Sequence, residues 1–336
     1  MGTYRLLLAI AVALSHVNVQ ILNGHNPGVV AVISFFLISG YVMTGLVRAY
    51  YTEYRKVPLF YLDRLARIMP QYLFFLALTA GSHYLLRFAR PSLEQASFIG
   101  ALGNLLVIPL DFYMYSPAIA KFTYIPQAWS LGLELTFYLL FPLIVIGRVR
   151  TPAFFASIVI WLVAVFGVID PDVWGYRLLP GTLFIFLLGS FIYDYRTPTL
   201  RHPSVILFFL LVGCALALHR AGMLDAPIKL DVYGEPVAAY FTWEVLLGIF
   251  IGIPVLFVLA RMARGRWDDW LGNLSYGVFL GHFLAIRLFD SFGIKLDNVS
   301  GKVMMLGSSI MLAYVGFVLV EYPMLLWRHR LRKAAR

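Results

Sequence analysis

The sequence predicts an all-α fold, a polytopic transmembrane helical bundle of about ten spans with both termini in the cytoplasm. Hydrophobic residues make up 61% of the 336 positions and charged residues 13%, and the mean hydropathy is +0.81. Apolar stretches recur at lengths of roughly 20 residues, which is what a helix needs to cross a hydrocarbon core of ~30 Å. This composition excludes a set of soluble domains.

Ten apolar windows define the predicted spans. They lie at 6–22, 28–47, 70–88, 126–147, 153–169, 178–194, 203–219, 238–260, 271–289 and 303–326. The stretch 98–115 is also apolar, but Pro109, Asp111 and Pro117 interrupt it. We interpret this stretch as a re-entrant or interfacial segment. Because no repeat or linker divides the chain, we expect residues 1–336 to form a single membrane domain.

The distribution of basic residues predicts the orientation. With ten spans, 18 of the 27 Lys and Arg residues fall on the side that holds both termini, and 9 fall on the other side. The positive-inside rule therefore places the termini in the cytoplasm. An eleventh span at 98–115 would leave the basic C-terminal tail outside. Topology thus explains the net charge of +10, and we expect membrane lipids rather than nucleic acid as partners.

His16 is a titratable group placed near the middle of the first predicted span. Such a residue is by default a candidate functional site, because hydrocarbon offers neither water nor counter-ions. The alternative is a neutral histidine that is hydrogen-bonded between packed helices. Arg5 precedes His16 by eleven residues, roughly 16 Å along a helix, and lies at the predicted cytoplasmic rim.

Six blocks in chain order carry a family resemblance. They are Arg5 with His16, FFLISGY at 35–41, RLARIMP at 64–70, WSL at 129–131 with Glu134 and Pro142, LGNLSY at 271–276 with His282, and Glu321 with Pro323. From end to end the chain resembles the acyltransferase-3 family of integral-membrane O-acyltransferases. The family often has an acidic residue before the paired phenylalanines, where this chain reads VIS at 32–34. If that acidic residue acts on the acceptor in the family, this member differs in how it treats the acceptor.

The resemblance implies a membrane acyltransferase domain over 1–336 in the bacterial inner membrane. Acyl-CoA, with acetyl-CoA favoured over succinyl-CoA, is the expected donor from the cytoplasm. The expected acceptor is a hydroxyl of a surface or exported carbohydrate, such as an exopolysaccharide or lipopolysaccharide. Macrolide, lipid, peptidoglycan and glucan acceptors also occur among similar proteins. No metal is expected, since no close cluster of His, Cys and carboxylate residues is present in the sequence.

The resemblance also suggests catalytic roles for two residues. His16 is the candidate general base, because an imidazole titrates near neutral pH. A covalent acyl-histidine is a second possibility. Glu134 lies eight residues after Pro126 and is expected to meet His16 and orient its ring, as in a catalytic dyad. The alternative for Glu134 is a structural carboxyl paired across helices.

Three arginines are candidates for binding the donor. Arg64 and Arg67 share one helix face at an i, i+3 spacing, and guanidinium groups suit phosphate oxygens. We assign this pair, with Arg5 nearby, to the polar end of acyl-CoA. The alternative is anchoring to anionic lipid headgroups. Glu321 in the last span is predicted to pair with a buried arginine or a backbone donor.

Five residues are candidates for the acceptor site and the acyl-transfer path: Trp129, Ser130, Ser275, Tyr276 and His282. The tryptophan offers a flat surface to a sugar ring, although interfacial anchoring is the commoner role of this residue type. For the histidine, hydrogen bonding between packed helices is an equally good explanation.

Two other functions remain open at this point. In a transporter or flippase for lipid-linked sugars, His16, Glu134 and His282 would form a proton relay or substrate path without covalent chemistry. A weaker alternative is a non-catalytic partner in a polysaccharide export complex. Consumption of acyl-CoA distinguishes the acyltransferase from both.

Overall fold

A computed structural model describes residues 1–336 except 23, 89–92, 94, 195–206, 208–209, 212, 215–216, 219–221, 223–227, 231–235, 239–240, 264 and 335–336. The described α-helices are α1 (Gly2–Ser15), α2 (Pro27–Tyr50), α3 (Val57–Leu86), α4 (Phe98–Leu106), α5 (Pro117–Ala120), α6 (Trp129–Ile146), α7 (Arg150–Val165), α8 (Leu179–Asp194), α9 (Thr242–Arg261), α10 (Arg266–Ser291), α11 (Val299–Gly316) and α12 (Tyr322–Ala334).

Short elements connect these helices. π-Helical turns lie at Val173–Arg177, before α8, and at Phe317–Glu321, between α11 and α12. Strands β1 (Ile228–Leu230) and β2 (Pro236–Ala238) pair antiparallel, which the sequence analysis did not anticipate. The described fold is otherwise helical, as predicted.

The chain divides into two compact units. Unit 1 comprises Met1–Gln20, Pro58–Leu135 and Arg264–Arg336, and unit 2 comprises Ile21–Val57 and Thr136–Ala263. In unit 1, α10 packs against α1 on one side and against α11 on another. In unit 2, α8 packs against α2 and α7, and α2 also packs against α9.

Glycines allow the helix backbones of unit 2 to touch. A Cβ at Gly40 would lie 1.7 Å from the Phe186 carbonyl oxygen, and one at Gly189 would lie 1.9 Å from the Leu37 carbonyl oxygen. The α2–α8 contact therefore requires glycine at both positions. Small residues at helix interfaces are typical of membrane proteins, because association within lipid depends on close packing.

Within the part of the chain that the structure describes, five helices are long and apolar enough to cross a membrane. They are Pro27–Tyr50, Pro126–Ile146, Val173–Asp194, Thr242–Arg261 and the continuous stretch Val299–Arg332. Each coincides with one of the predicted windows. Two shorter apolar helices, α1 and α7, occupy two more windows. The window 203–219 lies mostly outside the described residues. The total of ten spans and the cytoplasmic termini stay predictions.

The first predicted helix, 6–22, is wrong at both ends. It starts at Gly2 because the Asp268 carboxylate accepts hydrogen bonds from the Met1 ammonium (2.9 Å) and from the backbone N–H groups of Gly2 (3.0 Å) and Thr3 (2.8 Å). These are donors that a helix N-terminus otherwise leaves unsatisfied. The helix ends at Ser15, so His16 is its C-terminal cap and not a residue within a continuing span.

The third predicted helix, 70–88, starts too late. Pro70 lies inside α3, which begins at Val57, and the charged segment before this proline is also helical. The charged side chains of this segment, Asp63, Arg64 and Arg67, are all ion-paired, which allows the helix to begin before Pro70. The segment 98–115 forms α4 and a 3₁₀ stretch at Ile108–Tyr115, joined at Val107, whose φ is +67°. A helix of 9 residues is too short to span hydrocarbon, as expected.

We predict that Gly189→Ala lowers the free energy of unfolding by about 3 kcal/mol, because the new methyl group would overlap the Leu37 carbonyl and force the two helices apart. Equilibrium unfolding in mixed detergent micelles that contain SDS measures this change. Gly307→Ala is the matched control, since a Cβ there has no atom within 4 Å. Equal stability of the two variants would contradict the close α2–α8 contact.

Candidate functional site

Two histidine rings stack in unit 1. The His16 ring lies parallel to the His282 ring, with centroids 5.4 Å apart and planes 16° apart. The Phe283 ring contacts both, at 4.5 Å from His16 and 5.1 Å from His282. His282 is fully buried, whereas His16 is exposed. The helix end at Ser15 thus places an accessible imidazole against a buried one.

The buried histidine has one satisfied and one unsatisfied nitrogen. Its Nδ1 lies 3.2 Å from the Val278 carbonyl oxygen, which can only accept, so we assign the proton to Nδ1. The Nε2 of His282 is buried and has no hydrogen-bond partner among the described residues. In this tautomer Nε2 carries a lone pair. A buried acceptor without a donor is costly, and it is commonly found where a ligand or water binds.

A charged pair from α3 and the second π-helical turn lies against α10 at Tyr276. Arg67, which is half-buried, forms an ion pair with the buried Glu321, where the sequence predicted a buried arginine or a backbone donor as the partner of this glutamate. The Arg67 guanidinium also lies 5.4 Å from the centre of the Tyr276 ring, whose hydroxyl donates to the Ile68 carbonyl oxygen at 3.2 Å. The π-helical turn holds Glu321 opposite Arg67. Such turns are frequent at functional sites.

Glu134 lies within electrostatic range of Tyr276. The sequence predicts that this glutamate orients His16. The rings that contact the His16 ring are those of His282 and Phe283. A direct hydrogen bond between Glu134 and His16 stays a prediction.

Arg5 and Ser275 converge on one carbonyl group. The Arg5 Nη2 and the Ser275 hydroxyl both donate to the Gly272 oxygen at 2.7 Å. A Cβ at Gly272 would lie 2.7 Å from the Gly2 Cα, so glycine is needed for this contact of α1 with α10. Arg5 therefore helps to hold α1 in place on α10.

The start of α6 is joined to α10. Gln127 donates from Nε2 to the carbonyl oxygens of Phe279 (2.8 Å) and Leu280 (3.1 Å), and Ser130 donates to the Gln127 carbonyl oxygen (3.1 Å). Trp129 is half-buried beside this serine. The predicted acceptor residues of α6 are thus linked to the part of α10 that directly precedes the buried histidine.

Arg64 belongs to a second cluster that the sequence did not reveal. The fully buried Asp63 carboxylate accepts from Arg64, from Arg328 at 3.1 Å and from Arg332 at 3.1 Å. Arg67 is also close enough to repel Arg328. Three guanidinium groups around one carboxylate leave two positive charges in excess. Each arginine of the i, i+3 pair thus contacts a carboxylate of the protein, because Arg64 pairs with Asp63 and Arg67 pairs with Glu321.

The pKa of Asp63 reflects this environment. Burial alone would raise it, but the charges of Arg64, Arg328 and Arg332 and the hydrogen bond from Arg64 lower the pKa to about 2. Asp63 remains ionised at every physiological pH. Burial raises the pKa of Asp268, but the hydrogen bonds that its carboxylate accepts from the N-terminus of α1 lower the pKa by more. The pKa of Asp268 is therefore below its ordinary value.

The structure places all the predicted site residues in unit 1 and brings several of them into contact. No group of three or more His, Cys, Asp or Glu side chains that could hold a metal occurs within the described ranges. Sequence reasoning missed Asp63, Arg328, Arg332 and Asp268. Apart from the adjacent Arg64, their partners are more than 260 residues away along the chain, so no local spacing signals them.

We predict that Asp63→Asn lowers the free energy of unfolding by about 3–5 kcal/mol at pH 7, because it leaves three guanidinium groups without their shared counter-ion. The pKa of Asp63 is lower in the folded protein than the ordinary value of 3.8, so its contribution is present above pH 4 and is lost as the pH falls towards 2. Unfolding in detergent at pH 7 and at pH 3 measures the difference.

Glu53→Gln is the matched control for this prediction. It removes the carboxylate of the exposed Arg55–Glu53 pair, which should change stability by less than about 1 kcal/mol. If Asp63→Asn were as mild as this control, or equally harmful at both pH values, the proposed charge cluster would be wrong.

Comparison with known proteins identifies the family. The family model of the acyltransferase domain, acyltransferase-3, matches residues 4–323. A protein of Aquifex aeolicus (strain VF5) without a functional name is 31% identical over 202 residues, which cover 59% of this chain and 86% of that protein. O-acetyltransferase OatA of Staphylococcus aureus (strain NCTC 8325) is 31% identical over 147 residues, which cover 42% of this chain but only 23% of OatA.

No solved structure matches the chain. The match over 4–323 extends across both units and includes all six sequence blocks. The chain therefore belongs to the acyltransferase-3 family of membrane acyltransferases.

Proposed function

We propose that the protein moves an acetyl group from cytoplasmic acetyl-CoA to a hydroxyl of a surface or exported carbohydrate in the bacterial inner membrane. The observation that carries this proposal is the stacked histidine pair, which joins an accessible imidazole to a buried one with an unsatisfied nitrogen. An acyltransferase needs a base of this kind beside the acceptor hydroxyl.

In the proposed reaction His16 takes the proton of the acceptor hydroxyl as the oxygen attacks the thioester carbonyl. The new C–O bond forms, the C–S bond breaks, and the thiolate of coenzyme A leaves with the proton from the imidazolium. His282 positions the His16 ring by stacking, and the bond from its Nδ1–H to the Val278 carbonyl fixes the tautomer in which Nε2 carries the lone pair. Two stacked imidazolium ions would repel each other.

Donor binding is supported by the excess of positive charge. The guanidinium groups of Arg64, Arg328 and Arg332 surround the single carboxylate of Asp63, and Arg67 lies nearby. Coenzyme A is a polyanion, and guanidinium groups bind phosphate oxygens well. In this proposal Arg64 and Arg67 contact the phosphates, while Arg5 holds α1 against α10 beside them.

Acceptor binding is assigned to the residues next to the histidine pair. Trp129 and Ser130 offer an aromatic face and a hydroxyl, which suit a sugar, and Gln127 ties them to α10. Ser275 and Tyr276 lie on α10 between the charged clusters and His282, and Glu134 adds a carboxylate near Tyr276. The name of OatA, an O-acetyltransferase, agrees with a hydroxyl acceptor.

The proposal predicts transfer of label from radioactive acetyl-CoA by purified protein in liposomes, with release of free coenzyme A. His16→Ala should lower kcat by about 10²–10⁴-fold, as expected for loss of a general base. His25→Ala is the matched control, because this histidine belongs to unit 2 and its ring nitrogen lies against Glu244 and not against a candidate site residue. If the wild-type protein released no coenzyme A while carbohydrate still crossed the membrane, the protein would be a transporter.

His282→Phe separates positioning from base chemistry, because it keeps a stacking ring and removes both nitrogens. We expect a decrease in kcat of about 10-fold, much less than for His16→Ala. The same assay measures it, with folding checked by size-exclusion chromatography. A larger loss for His282→Phe than for His16→Ala would assign the base to His282 instead.

A further inference from the structure

Gln71 is a buried amide without a partner. Its side chain is 1% exposed, and neither its Nε2 nor its Oε1 forms a hydrogen bond with any described residue. A buried amide normally satisfies at least one of these groups, because burial without a hydrogen bond costs free energy. Both its donor and its acceptor are therefore available to a ligand.

Two glycines on neighbouring helices face this amide. A Cβ at Gly277 of α10 would lie 3.0 Å from the Gln71 Nε2, and one at Gly316 of α11 would lie 3.5 Å from it. Side chains at either position would crowd the amide. The amide thus faces two helix backbones that present no side chain to it at these points.

Gln71 lies between the charged cluster and the histidine pair. Arg67 is one turn before it on α3, over the Tyr276 ring. Phe75 is one turn after it, and a Cβ at Gly281, the residue before His282, would lie 2.7 Å from the Phe75 ring. The row 67, 71, 75 on α3 therefore follows α10 from the guanidinium group towards the buried imidazole.

We infer that Gln71 binds an amide group in the pantetheine arm of the donor. This arm joins the phosphates of coenzyme A to its thioester and contains two secondary amides. Gln71 Nε2 donates to an amide carbonyl of the arm, and Gln71 Oε1 accepts from an amide N–H. The inference rests on the proposed function, and it accounts for an amide in this place, since an amide is the natural complement of another amide.

The test compares binding of two ligands to the purified full-length protein in detergent. Coenzyme A contains the amides, whereas adenosine 3′,5′-bisphosphate keeps its anionic end and lacks them. We expect Gln71→Met to weaken coenzyme A binding by about 10-fold and to leave binding of the bisphosphate unchanged. Isothermal titration calorimetry gives both dissociation constants.

Thermal unfolding provides an independent measurement. Without ligand, Gln71→Met should unfold at a higher temperature than wild type, because an unsatisfied buried amide has been replaced by an apolar chain of similar length. Saturating coenzyme A should raise the melting temperature of the variant less than that of wild type. If Gln71→Met does not fold, Gln71→Leu is used, and we expect the same result: weaker binding of coenzyme A and unchanged binding of the bisphosphate.

Ser309→Ala is the matched control. Ser309 is buried on α11, but its hydroxyl already donates to the Met305 carbonyl oxygen at 2.8 Å, so its loss should affect neither ligand. Equal weakening of both ligands by Gln71→Met, or unchanged coenzyme A binding, would overturn the inference. Failure of wild type to bind coenzyme A at all would instead contradict the proposed function.

Discussion

The packing of α1 on α10 is the contact on which the candidate site depends. Asp268 caps the first turn of α1, and the close approach of Gly2 to Gly272 brings the two backbones together. Helix α1 is 14 residues long and ends at Ser15, beside the middle of α10. The stacking of His16 on His282 is a consequence of these fixed ends, because a shift of one turn would separate the rings.

The distribution of polar groups in unit 1 follows from the cost of burying them. Charges are paired within the protein, as in the Arg67–Glu321 pair and the cluster around Asp63. Against this background the unsatisfied Nε2 of His282 and the amide of Gln71 are exceptions. Both lie along α10 between a surplus of positive charge and an accessible imidazole. A donor that is anionic at one end and reactive at the other matches this arrangement.

Sequence reasoning predicted most helices because hydrophobic windows of about 20 residues report directly on membrane spans. It placed the bounds of α1 and α3 wrongly, since trans capping by Asp268 and the ion pairs around Asp63 depend on residues distant in sequence. It predicted the pairing of Glu321 with an arginine but not which one. It could not find Gln71, because only three-dimensional packing shows that an amide lacks partners.

The central claim is that unit 1 binds the donor with its phosphates at the arginines and its acyl group at the histidine pair. A structure of the full-length protein with acetonyl-CoA, in which a methylene group makes transfer impossible, tests it most directly. We predict the ketone carbon near His16 with space for one acceptor oxygen between them, ~3–3.5 Å from that carbon and ~2.6–3.2 Å from the imidazole nitrogen, and the phosphates near Arg64 and Arg67. An acyl group bound within unit 2, or phosphates remote from these arginines, would contradict it.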